Sequence, residues 1–260
     1  MDQQIYLRHW YADLYEQQET ETQDVAFALS TIGPAPQTVL EVACGGGRIS
    51  VPLAEACHRV VGFDADPYML ATALRRGKGR SQPTFFQADA IRDDWGRDYD
   101  VVLLAGNLLL NIESDMDNAQ AQRLLLCKAA CSVRPGGRMF LDFDCFQRRD
   151  ASPAPQREWV CFDGTDDWGT YGKYIVIGGA YDSRTGIDRG ERRYEIAPAD
   201  AEPFSVTRAV VKHFPFMEQV RGWLKQAGWE IEQLYGGYDR RPFSESTPGN
   251  RAILWATRVT

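Results

Sequence analysis

The sequence predicts a doubly wound α/β fold, and three observations support this prediction. Short apolar segments with strand character alternate with helical segments from residue 39 to residue 144. A glycine-rich loop follows the first of these strands, as is typical of the first turn in such sheets. Alternating aromatic and polar positions in residues 145–214 then indicate a small antiparallel sheet. We therefore expect a parallel-sheet domain that contains an insertion.

The elements of the first half follow one another in a regular order. Residues 1–30 have helical character and end at the Gly-Pro-rich break of residues 33–36. The apolar positions expected to be buried there are Trp10, Leu14, Val25 and Leu29. Five strands follow as TVLEVA, RVVGFDA, TFFQADA, DVVLLAGN and GRMFLDFD, with the turn RPGG before the fifth. The helices between them are SVPLAEAC, PYMLATALRR and AQAQRLLLCKAACSV.

The last part of the chain completes the predicted sheet. A helix at residues 216–228 precedes two closing strands, WEIEQLYGG and NRAILWATRV. These strands bring the sheet to seven, so we expect a Rossmann-like, mainly parallel sheet. Residues 1–260 are predicted to form a single domain, with residues 1–37 as an N-terminal helical cap and residues 145–214 as an inserted antiparallel lid.

Composition excludes several classes of function. The formal net charge of −7 does not supply the basic surface of nucleic-acid-binding proteins. No stretch reaches the ~18 apolar residues of a membrane span, and the first residues lack the apolar block of a secretory leader, so we expect a cytoplasmic protein that does not contact a membrane. The six cysteines form no C-x-x-C pair and the three histidines lie far apart, so we expect reduced thiols and no metal. The sequence is silent about the oligomeric state.

The segment VLEVACGGGRIS, residues 39–50, is the most informative about function. Gly45 and Gly47 lie in a loop whose backbone can approach a ligand closely, although a tight strand-to-helix turn needs the same residue type. Asp64 ends the second strand, near the ~20-residue distance at which an acid accepts hydrogen bonds from ribose hydroxyls. These residues together predict a nucleoside site.

The identity of the nucleoside follows from two further residues. A dinucleotide motif G-x-G-x-x-G needs a third glycine where this chain has Ser50. Glu41 lies just before the loop, and its carboxylate is unfavourable beside a diphosphate but favourable beside a cation. The residues therefore favour S-adenosylmethionine, with its positive sulfonium and ammonium groups, over NAD.

The motifs together resemble those of class I S-adenosylmethionine-dependent methyltransferases over nearly the whole chain. The resemblance implies a methionine-binding loop after the first strand, a ribose-binding acid after the second and an adenine-binding pair after the third. The cofactor-binding residues that it implies are Glu41, Ala43, Gly45 and Gly47 in the loop, Asp64 with Ala65, Met69 against the adenine, and Asp89 with the Ala90 amide. Ala43 stands where the family has its first loop glycine. This change recurs in a subgroup similar to glycine and sarcosine N-methyltransferases, whose VACGGG, FDADPYML and AGN segments the chain also matches.

Three of these assignments have structural alternatives. Asp89 could cap a helix after its strand, and Met69 could be an ordinary core residue. Asn107 ends the fourth strand, where ligands gather in open α/β sheets, so it could hold the cofactor or the substrate, or it could only form a turn.

Fewer residues indicate which molecule accepts the methyl group. Tyr11 and Tyr15 match the place where related small-molecule methyltransferases fold a lid over the cofactor, and with Asn107 they are the candidate catalytic residues; helix packing is the alternative for both tyrosines. Glycine N-methyltransferases bind the substrate carboxylate with an arginine just after the segment LDFD, where this chain has CFQ. Glycine is therefore not the expected substrate. Asp142, Asp144 and the aromatic insertion indicate a small-molecule partner, with a small amine or amino-sugar-like compound suggested.

The expected chemistry is in-line transfer of a methyl group to nitrogen or oxygen. An amine that arrives unprotonated needs no dedicated base, whereas an oxygen acceptor needs one, for which His9 and His213 are the candidates. Three alternatives use the same motifs. They are an enzyme of this fold that cyclises or otherwise diverts S-adenosylmethionine, for instance to an azetidine amino acid, an NAD-dependent oxidoreductase, and a non-catalytic binding domain.

Overall fold

The computed structural model describes residues 2–79, 82–145, 157–245 and 251–259, and the chain divides into two compact units. One unit combines Met1–Glu21 with Arg149–Lys212, and the other combines Thr22–Arg148 with His213–Thr260. The first 21 residues thus cluster with the insertion. Residues 22–37, which the sequence analysis placed in an N-terminal cap, cluster with the larger unit.

The helices and strands of the described residues succeed one another as follows. The helices are α1 (Gln3–Gln18), α2 (Gln23–Thr31), α3 (Ser50–Glu55), α4 (Pro67–Arg76), α5 (Asn118–Ser132) and α6 (Met217–Gln226), with a 3-10 turn at Leu108–Leu110. The strands are β1 (Thr38–Val42), β2 (Arg59–Asp64), β3 (Thr84–Gln87), β4 (Tyr99–Leu104), β5 (Val133–Asp144), β6 (Glu158–Thr165), β7 (Tyr171–Asp182), β8 (Ile187–Ala197), β9 (Phe204–His213), β10 (Trp229–Tyr235) and β11 (Arg251–Arg258).

The larger unit is built on a seven-stranded sheet in the order β10-β11-β5-β4-β1-β2-β3. Strands β3, β2, β1, β4 and β5 are parallel, and β11 is antiparallel to both of its neighbours. The chain runs outward from β1 to β3 and then returns to the other side of β1 as β4. This reversal creates a crevice outside the carboxyl ends of β1 and β4, where open α/β sheets bind ligands.

Apolar side chains cover both faces of this sheet, as expected for strands that read as nearly continuous apolar runs. On one face Leu40, Val102 and Leu141 pack with residues of α5 and α6. On the other face Val39 and Leu103 pack with residues of α2 and α3. The core therefore fixes the strand ends that carry the polar residues of the crevice.

The smaller unit consists of α1 and the antiparallel sheet β6-β7-β8-β9. Asp2 caps α1 by accepting a hydrogen bond from the Gln4 amide at 3.0 Å. Trp10 and Leu14 of α1 are fully buried against the sheet. Gly172 makes this contact possible, because a Cβ at that position would lie 2.6 Å from the Trp10 ring.

The predicted α/β class, the seven-stranded mainly parallel sheet and the small antiparallel sheet are confirmed. Three details differ from the expectation. Residues 1–30 form two helices, and Leu29 is 37% exposed because it lies on the outer face of α2. Strand β5 begins at Val133, before the RPGG segment rather than after it, because its pairing with β4 passes from Tyr99–Val133 to Val101–Arg138 around a bulge. None of the described helices has the length and apolar character needed to cross a membrane.

Candidate active site at the carboxyl edge of the parallel sheet

The loop between β1 and α3 has the backbone conformation of a ligand-binding turn. Ala43, Gly45 and Gly47 all have positive φ, at 54°, 52° and 72°. A Cβ on Gly47 would lie 3.0 Å from Cζ of Phe85 and 3.2 Å from Cβ of Ala73, whereas a Cβ on Gly45 would have nothing within 4 Å. Gly47 is therefore required for close packing of the loop, and Gly45 leaves the space beside the loop open.

Glu41 lies beneath this loop and is 4% exposed. The Ser50 hydroxyl at the start of α3 donates a hydrogen bond to its carboxylate. Burial raises the pKa of Glu41 to about 7, although the Ser50 hydroxyl and the Arg48 guanidinium both favour the charged form. Arg48 itself makes a two-point ion pair with Asp24 of α2. Glu41 therefore connects β1 to α3 and changes charge near neutral pH.

Asp64 at the end of β2 holds the glycine loop by a backbone contact. Its Oδ2 accepts a hydrogen bond from the Gly45 amide at 2.9 Å, and its Oδ1 accepts one from the Asp66 amide at 2.8 Å. Burial raises the pKa of Asp64, and these two amides oppose the rise. Each oxygen keeps a lone pair for a further donor such as a ribose hydroxyl.

The two residues predicted to follow Asp64 in the site also lie on this edge. Ala65 is exposed, and its carbonyl accepts a hydrogen bond from Nε2 of Gln87 at 3.0 Å. Met69 is half-buried on α4, which Asp66 caps through the Tyr68 amide at 2.8 Å. Met69 is therefore not a fully buried core residue.

Asp89 follows β3 and caps a turn, which is the structural alternative considered for it. Its Oδ1 accepts hydrogen bonds from the Ile91 amide at 2.7 Å and the Arg92 amide at 3.0 Å. The carbonyl of Ala90 accepts a hydrogen bond from the Trp95 indole at 3.0 Å. These contacts fix Asp89 and Ala90 at the end of β3.

Asn107 follows β4 in the left-handed conformation, with φ at 64°, and its side chain engages β5. Its Nδ2 donates to Oδ2 of Asp144 at 2.8 Å, and its Oδ1 accepts from the Asp144 amide at 2.7 Å. The amide predicted to meet a ligand thus also joins the carboxyl ends of β4 and β5.

Sequence patterns indicate only part of the ionic cluster that lies beside this pair. Arg251 on β11 donates to Oδ2 of Asp142 at 2.6 Å and to Oδ1 of Asp144 at 2.9 Å. The Tyr238 hydroxyl donates a further hydrogen bond to Asp142, and burial together with this carboxylate raises the pKa of Tyr238. One guanidinium is shared by two carboxylates, so the three ionic groups carry a net negative charge. The acids were noted in the sequence, but no local pattern indicates that Arg251, more than a hundred residues later, lies between them.

Tyr11 and Tyr15 lie in the smaller unit, whereas the other predicted site residues lie in the larger one. The Tyr11 ring makes edge-to-face contacts with Phe162, Tyr174 and Tyr194 at centroid distances of 5.6, 5.7 and 6.2 Å. Burial raises the pKa of Tyr11 far above its ordinary value. Both tyrosines therefore contribute to the packing of their unit, which is the alternative given for them above.

The two histidines considered as bases are already engaged. In the smaller unit, Nδ1 of His9 lies 2.9 Å from Oδ2 of Asp166 and Nε2 lies 3.2 Å from Oδ1 of Asp167, with the ring stacked on Trp168 at 3.5 Å. In the larger unit, Nδ1 of His213 lies 2.7 Å from Oε1 of Gln122. No group of three or more His, Cys, Asp or Glu side chains arranged for a metal occurs in the described part of the chain.

Comparisons with known proteins give a consistent picture of the larger unit. Residues 39–137 match the family model described as a methyltransferase domain. Glycine N-methyltransferase from Rattus norvegicus is 32% identical over 114 residues, which are 40% of this chain and 39% of that protein. Glycine/sarcosine N-methyltransferase from Parasynechococcus marenigrum is 24% identical over 209 residues, covering 78% of this chain and 67% of that protein. The chain thus spans about two fifths of the length of the first curated relatives that it matches.

The fold is shared over nearly the whole chain with a solved structure. The sugar N-methyltransferase from Streptoalloteichus sp. superimposes with a TM-score of 0.70, covering 96% of this chain and 93% of that one at 19% sequence identity. At this identity the likeness concerns the fold, and it includes both the parallel sheet and the insertion.

Proposed function

We propose that the protein transfers a methyl group from S-adenosylmethionine to the nitrogen of a small amine, and the match of residues 39–137 to the methyltransferase domain model supports this. The Gly45–Asp64 hydrogen bond is the observation that supports the proposal most directly, because it places a carboxylate with free lone pairs against the open side of the glycine loop.

The residues at the carboxyl edge fit this cofactor chemically. The backbone of Ala43 and Gly45 would accommodate the methionine portion, since no Cβ fills the space beside Gly45. Asp64 would accept hydrogen bonds from the ribose hydroxyls, and Asp89 with the Ala90 amide would meet the adenine edge. Met69, half-buried on α4, would pack against the adenine ring. Glu41 would add negative charge beneath a cationic ligand.

The chemistry needs little from the protein beyond binding and orientation. When bound, S-adenosylmethionine would supply an activated methyl carbon. The lone pair of an unprotonated nitrogen would bond to this carbon as the carbon–sulfur bond breaks, giving neutral S-adenosylhomocysteine, and the resulting ammonium would release its proton to solvent. The chain's contribution is to hold the two reactants in line, and such orientation alone is worth up to ~7–11 kcal/mol of the barrier. Asn107, joined to Asp144, lies on the strand end next to the glycine loop and would orient the acceptor.

Charge favours an amine over an oxygen acceptor. Asp142 and Asp144 share one guanidinium, so the acceptor end carries negative charge that would attract a protonated amine, which would release its proton to solvent before its lone pair attacks. An oxygen acceptor needs a base, and both ring nitrogens of His9 already face carboxylates while His213 is bound to Gln122. The roles of Tyr11, Tyr15 and Asn107 in catalysis stay predictions.

Calorimetry followed by product analysis tests this proposal. We expect S-adenosylmethionine and S-adenosylhomocysteine to bind with one site per chain and NAD not to bind. The Asp64→Ala variant is expected to lose cofactor affinity at least tenfold, whereas the matched Asp115→Ala variant, at an acid whose side chain is 95% exposed, is expected to keep it. Binding of NAD in preference to S-adenosylmethionine contradicts the proposal. Cofactor binding without turnover on any amine or hydroxyl acceptor indicates the non-catalytic alternative.

A further inference from the structure

We propose that Gln122 is a positioning residue for the acceptor end of the site. Its buried amide binds both the turn that follows Asn107 and His213 at the end of β9. This inference rests on the function proposed above. Gln122 lies on α5, on the side of the sheet away from the glycine loop's partner helix α3, and its hydrogen bonds go to Leu109 and His213.

Every hydrogen-bonding group of the Gln122 amide is used. Its Nε2 donates to the carbonyl of Leu109 at 2.9 Å and to the carbonyl of His213 at 2.9 Å. Its Oε1 lies 2.7 Å from Nδ1 of His213. Gln122 is 2% exposed and His213 is 4% exposed, so these bonds are shielded from bulk solvent.

The three bonds define one arrangement of the two side chains. Because Nε2 faces two carbonyl oxygens, the amide cannot flip without placing Oε1 against them. His213 must then carry its proton on Nδ1 to donate to Oε1. An amide locked in this way ties α5, the 3-10 turn Leu108–Leu110 and the end of β9 together within the larger unit.

The turn transmits its position to Asn107 through backbone bonds. The amides of Leu110 and Asn111 donate to the carbonyl of Asn107 at 2.9 and 3.1 Å. The Asn107 side chain in turn holds Asp144. A shift of the Leu109 carbonyl would therefore move the residue that joins β4 to β5 at the acceptor end.

A small cavity borders this turn. Its volume is about 10 Å³, and the residues that line it are Leu109, Leu110, Ile112, Asn118, Gln122 and His213. Since a misplacement of ~1 Å can cost about 10²-fold in rate, a small movement here would register in turnover. The Gln122 amide, which donates to the Leu109 carbonyl, is thus the contact that holds the turn in place.

Kinetics combined with hydrogen exchange tests the inference. Gln122→Met keeps the side-chain length and removes all three bonds, and we expect kcat to fall 10- to 100-fold while the Kd of S-adenosylmethionine changes less than twofold. We also expect faster amide exchange at Leu109–Asn111. The matched control is Ser132→Ala, which removes a buried side-chain bond to the Lys128 carbonyl on the same helix and is expected to change neither quantity.

A second variant separates positioning from general damage. His213→Phe leaves both Gln122 donors bound to carbonyls and removes the Nδ1 bond to Oε1, so its kcat is expected to lie between those of the wild type and Gln122→Met. An unchanged kcat and exchange rate in Gln122→Met, or a loss of cofactor affinity as large as its loss of kcat, would overturn the inference. If the wild-type protein methylates no amine, the proposed function fails, and the exchange at Leu109–Asn111 still decides whether Gln122 holds the turn.

Discussion

Asn107 and Asp144 are joined by two hydrogen bonds, one from Nδ2 to the carboxylate at 2.8 Å and one from the Asp144 amide to Oδ1 at 2.7 Å. The contact links the residue that follows β4 to the end of β5, and β4 is one of the two strands that flank the crevice. It also leaves Asp144 with a side chain that is 39% exposed and that shares Arg251 with Asp142. This pair therefore combines a structural connection with an accessible negative charge.

Removing the charge of Asp144 is expected to weaken acceptor binding. In the Asp144→Asn variant the side chain still accepts from Asn107, but the excess negative charge disappears. We expect the KM for an amine acceptor to rise about tenfold, equivalent to ~1.4 kcal/mol, with the Kd of S-adenosylmethionine unchanged. Steady-state kinetics measures both effects. Asp115→Asn, at a highly exposed acid, is the control, and equal KM values in the two variants would refute the role of Asp144.

Gly47 and Gly79 have similar backbone conformations, so comparing substitutions at the two positions separates the cost of backbone strain from the cost of close packing. Gly47→Ala and Gly79→Ala both place a Cβ at positive φ, 72° and 81°, which costs ~1–2 kcal/mol. A Cβ at Gly47 also meets Phe85 at 3.0 Å, whereas one at Gly79 has nothing within 4 Å. We expect Gly47→Ala to lose ~1–3 kcal/mol more in free energy of unfolding and to weaken cofactor binding. Urea unfolding and calorimetry measure these losses, and equal losses in the two variants would show that the loop tolerates the contact.

The raised pKa of Glu41 predicts how the free energy of unfolding depends on pH. Its pKa is about 7 in the folded protein and near 4.5 for an exposed glutamate, so the folded state binds more protons between these values. The free energy of unfolding therefore falls as pH rises from about 4.5 to about 7, by roughly 3 kcal/mol at most. Glu41→Gln is expected to lack this fall. Denaturant unfolding of both proteins across this range measures the difference.

The control for this series is Glu113→Gln, at an exposed glutamate, which is expected to follow the wild-type pH dependence. A constant difference in stability between wild type and Glu41→Gln from pH 5 to pH 8 would mean that Glu41 is ionised in the folded protein over this whole range, as it is in the unfolded chain.

His9 is expected to stabilise the fold and not to act as a base. Its ring lies between Asp166 and Asp167 and stacks on Trp168, so His9→Asn should lower the melting temperature of the protein. The pH profile of kcat should keep its shape, because no proton transfer passes through this ring. A profile that loses one of its limbs in the variant would instead assign His9 to the chemistry.

The sequence predicted the sheet and its polar strand ends because these depend on local patterns. Apolar runs mark β1, β2 and β4, and Asp64 is identified by its distance along the chain from the glycine loop. Arg251 and Gln122 could not be identified in this way, since their partners lie on elements that come together only in the folded sheet. The start of β5 at Val133 depends likewise on pairing with Tyr99, which overrides the turn character of RPGG. Leu29 shows that an apolar residue on a short helix does not by itself establish burial.

Methyl transfer to an amine is tested most directly by mass spectrometry of the products formed from S-adenosylmethionine with a deuterated methyl group. Incubation of the purified protein with this donor and a panel of small amines is expected to yield S-adenosylhomocysteine and a deuteromethylated amine in equal amounts, and to yield neither when the amine is omitted. Release of methylthioadenosine or formation of an azetidine amino acid in the absence of an acceptor would contradict the account.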